Sequence, residues 1–137
     1  MFLPEDDQIY LAQKSLRYTL REEAAGQDIR RGIEFPEFEV PANLARKVNG
    51  QPVPGGQVRL LVLIPPGYAK VRLDSWYVSP GLFHLDGREV DRANGQQVLF
   101  GENWQFWSRH LTDGEWRADI DGLATYLQYI HSGLRAA

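Results

Sequence analysis

The chain contains no cysteine. That absence excludes a disulfide framework, a thiolate-bound metal and a cysteine nucleophile together, so any reaction carried out here uses other atoms. Long apolar runs are missing too. The longest, Leu60 to Ile64, is five residues against the roughly 20 that a helical membrane span needs. Met1 to Leu11 carries three acids and no basic segment of the kind that opens a secretory signal. The expectation is a cytoplasmic protein that does not attach to a membrane. Basic charge is not in excess either: 15 Lys and Arg against 18 Asp and Glu leave a net charge of −3, which gives no footprint for phosphate backbones and argues against nucleic acid as a partner. The three histidines, at 84, 110 and 131, lack metal-ligand spacing such as His-Glu-x-x-His. No metal and no cofactor are expected.

What is present reads as ordinary globular sequence. A composition of 43% hydrophobic and 24% charged residues over 137 positions fits one domain, residues 1–137, with a single core. Pro4 followed by Glu5, Asp6 and Asp7 suits the first turn of a helix, since proline tolerates that position and acids favour the positive end of the helix dipole. The pattern predicts a short helix over residues 4–13. Leu16, Tyr18 and Leu20 then alternate with Arg17, Thr19 and Arg21 as in a strand with one buried face. A turn at Ala25-Gly26-Gln27-Asp28 follows. In the next strand Ile33 and Phe35 are out of phase with Phe38 and Val40, and Pro36 between them points to a bulge or an edge position.

Asn49-Gly50 to Gly55-Gly56 is turn chemistry by composition. Val58 to Ile64 is the central strand, stopped by Pro65-Pro66-Gly67-Tyr68. A fourth strand covers Asp74 to Ser79. Residues 80 to 101 are turn-rich, with reversals expected at Asp86-Gly87 and Asn94-Gly95. At the end of the chain Ile120, Leu123, Leu127, Ile130 and Leu134 recur at spacings of three and four, the apolar face of a helix packed on a sheet. The order is α+β: an N-terminal helix, an antiparallel meander of about four strands, and a C-terminal helix packed on the sheet.

The densest chemistry lies in Trp104-Gln105-Phe106-Trp107-Ser108-Arg109-His110. Trp76 and Trp116 are expected in the core because a tryptophan buries a large apolar area. Trp104 and Trp107 also suit packing, with one of them left to face a partner. A serine hydroxyl is barely ionised at neutral pH and needs a neighbouring base, for which His110 is the nearest candidate to Ser108. Residues two apart share a face on a strand but lie about 200° apart on a helix, so the pair can cooperate only if 108 to 110 is extended or looped. Arg109 has Asp113 and Glu115 as nearby ion-pair candidates of little energetic weight. His131, one position after Ile130, is expected in solvent.

The order of elements, the Ile64-Pro65-Pro66-Gly67-Tyr68 corner, Trp76-Tyr77-Val78-Ser79-Pro80, Trp104 to His110, and Trp116 with Asp119 to Asp121 together resemble the prokaryotic family E of ubiquitin-conjugating-enzyme-like proteins. The resemblance covers nearly the whole chain. It implies the UBC-like fold and a place in bacterial gene clusters that also encode a ubiquitin-like modifier, an adenylating activating enzyme and often a peptidase. Better-known ubiquitin-conjugating enzymes hold the modifier as a thioester on cysteine, after a His-Pro-Asn motif, and neither feature occurs here. His84, flanked by Phe83 and Leu85, inherits no role.

Two readings follow. The favoured one is a component that docks the activating enzyme or the modifier through aromatic anchors, with Trp104, Trp107 and Tyr68 as the candidates. The alternative is acyl transfer to or from the modifier's C-terminus by Ser108 or His110, with Arg109 or backbone amides steadying the oxyanion. A free-standing serine hydrolase trails both, since the sequence has no Gly-x-Ser-x-Gly elbow and no evident acid to orient the histidine.

Overall fold

The computed structural model describes residues 1–137, the side chain of residue 113 excepted. Helix α1 (Glu5–Gln13) begins after Pro4 and carries Glu5, Asp6 and Asp7 in its first turn, as the dipole favours. Strand β1 (Thr19–Ala25) pairs with β2 (Asp28–Glu39) through the expected turn, where Gly26 has φ +66°. Leu16 precedes the strand and is exposed. Strand β2 pairs with β5 (Gln57–Ile64), and the register shifts between Phe35 and Phe38. That is the bulge anticipated at Pro36, whose missing N–H cannot serve the ladder.

Strands β6 (Trp76–Ser79), β8 (Gly95–Leu99) and β9 (Glu102–Trp107) complete a six-stranded sheet of order β1-β2-β5-β6-β9-β8. A second sheet of three strands, β4-β3-β7, is built from β3 (Leu44–Val48), β4 (Gln51–Pro54) and β7 (Leu82–His84). The meander of about four strands is therefore an undercount. Its members correspond to β1, β2, β5 and β6, in sequential antiparallel order. The rest escape pattern reading for physical reasons: β4 contains Pro52 and Pro54, and four of the five residues of β8 are exposed and show no alternation. Gly95 enters β8 rather than closing a reversal; the turn there falls at Asp91 and Arg92.

Helix α2 (Leu123–Ala136) covers one face of the larger sheet. Leu123, Leu127, Ile130 and Leu134 are buried as the periodicity requires, each burial favouring the fold by about 1.5–3 kcal/mol. Ile120 departs from that face. It lies before the helix and is exposed, and Tyr126 fills the buried position instead. Gly133 has little helix propensity, but a Cβ there would stand 2.7 Å from Cη2 of Trp76, so its absence lets the helix approach the sheet. His131 is not free in solvent: its ring stacks on Phe38 with centroids 4.6 Å apart, and burial lowers its pKa.

The start of α2 is held by a residue of α1. Asp7, nearly buried, accepts the backbone N–H of Leu123 (3.1 Å) and the hydroxyl of Tyr68 (2.6 Å). One carboxylate thus joins both helices to the 65–72 loop. A Cβ on Gly122 would come within 2.7 Å of the same carboxylate, which explains a glycine at this cap. On the opposite face of the sheet Glu34 and Glu102 share Arg59, and Arg21 also reaches Glu34. These arginines, Arg59 foremost, hold the Glu34 carboxyl below its ordinary range.

Candidate functional site

Strand β9 divides the aromatic stretch in two. Its period-two alternation turns Trp104 to one face of the sheet and Trp107 to the other, and both are fully buried, at 1% and 0% exposure. Trp107 stacks on Trp76, 5.9 Å between centroids, under α2. Trp104 lies beneath the Arg59 guanidinium and donates its indole N–H to the carbonyl of Leu99. Gln105 is structural as well. Its Oε1 accepts from the backbone N–H of Leu82 and from the Trp107 indole, both at 2.8 Å, and its Nε2 donates to the carbonyl of Leu82, so the amide clips the small sheet to the large one.

After Trp107 the chain leaves the sheet without becoming helical, which is the condition that Ser108 and His110 need in order to meet. They do: Ser108 Oγ lies 3.2 Å from His110 Nε2. His110 Nδ1 in turn lies 2.8 Å from Asp74 Oδ1. With Nδ1–H donating to the carboxylate, Nε2 is the acceptor for the serine hydroxyl. The orienting acid that the sequence did not reveal is Asp74. The pattern predicts a strand from Asp74, but the strand begins two residues later, at Trp76, which leaves Asp74 outside the ladder.

The segments carrying these three side chains are fastened together below them. Strand pairing matches Trp76 with Trp107, which sets residues 74 and 75 beside 108 to 110. Ser75, buried and with φ +55°, donates its backbone N–H and its hydroxyl to the carbonyl of Arg109, and its Oγ accepts the Arg109 N–H. The buried Tyr126 hydroxyl donates to the Ser75 carbonyl (2.8 Å), and burial raises its pKa. A left-handed, non-glycine residue held from three sides is a local cost that the surrounding packing offsets. Arg109 does not point its charge at Ser108 Oγ. Its guanidinium lies over the Trp107 ring and donates to the carbonyls of Asp91, Arg92 and Ser108, and desolvation lowers its pKa. The side chain of Asp113 lies outside the described residues, while Glu115 bonds to Thr112.

Asp74 and His110 are among the residues that line an open groove of about 650 Å³ between the β1–β2 hairpin and the 63–75 segment. Ile29, Pro65, Pro66 and Val71 give it apolar walls, and Tyr77 and Phe106 stack beside it, 5.2 Å between centroids. Arg30, Arg31 and Arg72 line it together with the acidic Asp28 and Asp74, Arg30 being paired with Glu23 and Arg31 with Glu22. Tyr68 stands apart, its hydroxyl committed to Asp7 and its pKa raised by burial first and by that carboxylate second. Among the described residues no cluster of three or more His, Asp or Glu side chains is placed to hold a metal ion, and no helix is long and apolar enough to cross a membrane.

A family profile described as prokaryotic E2 family E matches residues 3–137. The chain belongs to that family. No curated protein matches it, and no solved structure does. The α+β architecture, with an antiparallel sheet covered by a C-terminal helix, is consistent with the E2-like fold. Membership in family E carries, in general terms, dealings with ubiquitin-like proteins and their activating enzymes. Thioester formation on a side chain of this chain is chemically closed, because it has no cysteine.

Proposed function

We propose that the protein is a cysteine-free component of a bacterial ubiquitin-like modification system that docks the modifier, and the adenylating enzyme that activates it, with an associated peptidase as a further partner. The observation that carries this reading is the open groove lined in part by Asp74 and His110. A modifier presents its C-terminus as an extended strand of chain, and an open trough with apolar walls suits such a segment. The anchors differ from those the sequence suggested. Trp104 and Trp107 are enclosed by the fold, so the exposed apolar side chains at the groove, Ile29 and Val71, take their place.

Ile29 is 56% exposed, so a change there spares the core. In calorimetry with the cognate modifier, Ile29→Glu is expected to weaken binding about tenfold or more while the melting temperature stays unchanged. Unaltered affinity in both Ile29→Glu and Val71→Glu would reject the groove as the docking surface.

A further inference from the structure

We infer that Asp74, His110 and Ser108 form an acyl-transfer triad in which Ser108 is the nucleophile. This deepens the docking proposal at the same groove and rests on it only for the identity of the natural acyl donor. Three observations carry it. The distances and partners are those a triad requires, 2.8 Å between His110 Nδ1 and the Asp74 carboxylate and 3.2 Å between Ser108 Oγ and His110 Nε2; in the tautomer with the proton on Nδ1, Nδ1–H donates to the carboxylate and the serine hydroxyl donates to Nε2, and the longer contact is ordinary for an unliganded site. The geometry is built rather than incidental: the backbone on both sides is fixed by Ser75, itself held in a left-handed conformation, and by the buried Tyr126. The imidazole and the carboxylate open onto a groove with room for an acyl chain, whereas a serine–histidine contact on a flat surface would have nothing to act on.

The substrate class is an activated carboxyl group, a mixed anhydride with phosphate or a thioester. Ser108 Oγ adds to the carbonyl carbon as its proton passes to His110 Nε2. The bond from that carbon to the phosphate oxygen or sulfur then breaks, and the leaving group departs with the electron pair. A departing thiolate takes up the proton from His110, whereas a phosphate leaves as the anion and His110 gives its proton to solvent. The product is an ester on Ser108. Water or an amine then adds to the ester carbonyl as its proton passes to His110 Nε2, the carbon–Oγ bond breaks with its electron pair going to Oγ, and Oγ takes that proton from His110, releasing a carboxylic acid or an amide and restoring Ser108. Asp74 is a positioning residue: it holds the tautomer that leaves Nε2 free to accept, and it offsets the charge of the imidazolium when that forms.

The test uses the full chain and two probes, a fluorophosphonate read by intact mass and peptide mapping, and p-nitrophenyl acetate read by release of nitrophenol. One adduct on Ser108 is expected, with His110→Ala slowing labelling about a hundredfold. Asp74→Asn is expected to lower kcat on the ester about tenfold or more with KM unchanged, a split that a purely structural role does not produce. Labelling elsewhere than Ser108, no labelling at all, or equal rates in wild type and His110→Ala would overturn the inference. Modifier binding measured on Ser108→Ala separates the two proposals: binding kept with no adduct in the wild type sinks the triad alone, and an adduct with no modifier binding sinks the docking reading alone.

Discussion

Asp7 and Asp74 do the same thing in different surroundings. Each accepts a hydrogen bond from a ring-bearing side chain far away in sequence, Tyr68 at 2.6 Å for Asp7 and His110 at 2.8 Å for Asp74. Asp7 is 5% exposed and its second oxygen takes the first N–H of α2, so its acceptors are spent on fixed donors. Asp74 is 46% exposed along its side chain and its partner His110 is 55% exposed, with the imidazole open to the groove. Burial decides the outcome. A desolvated carboxylate with its donors in place holds the fold together and has nothing left to react with, whereas a wet one keeps a titratable ring available for chemistry.

The comparison is broken most severely at Asp7. Asp7→Ala strands the Leu123 N–H and the Tyr68 hydroxyl in a buried site and removes the side chain that caps the first N–H of α2, each loss alone costing about 1–2 kcal/mol. We expect about 2–4 kcal/mol of destabilisation in urea unfolding, and a loss below about 1 kcal/mol would show that the carboxylate does not hold the two helices. A milder change tests the same contact from the other side. Tyr68→Phe keeps the ring beside Trp116 and deletes one hydrogen bond, for an expected loss of about 1 kcal/mol. If Tyr68→Phe instead left stability alone and weakened modifier binding in calorimetry, the tyrosine would belong with the exposed chemistry of Asp74.

How much of this was legible in the sequence depends on the range of the interaction that decides it. Local patterns placed α1, the turn at Gly26, the bulge at Pro36, the central strand β5 and four of the five named core positions of α2, because each rests on neighbours within a few residues. The β3–β4 hairpin and β8 were illegible: prolines and exposed polar positions stand where alternation would be, and pairing with other strands overrides propensity. At the site, composition drew attention to 104–110 but not to its division. Parity along β9 puts Trp104 and Trp107 on opposite, covered faces of the sheet, and it is the end of the strand at Trp107, visible once its pairing with β6 is known, that leaves Ser108 and His110 open. Asp74 was harder still, being 36 positions from His110 with no local signal. Knowing that Trp76 faces Trp107 would have found it, since continuing that register sets 74 and 75 against 108 to 110.

The smallest expected effect is the sharpest test of the contrast. Asp74→Asn retains a carbonyl oxygen that can accept from His110 Nδ1–H and removes only the charge, at a half-exposed pair whose electrostatic contribution water largely screens. Its stability should lie within about 0.5 kcal/mol of the wild type in the urea titration that detects the Asp7→Ala loss. The rate of ester cleavage, by contrast, depends on the imidazolium that forms only during reaction, so the charge matters there and not in the resting fold. Should Asp74→Asn cost more than about 1 kcal/mol, Asp74 would join Asp7 as a fastening between segments, and a slower reaction in that variant would then be attributable to a loosened 108–110 loop.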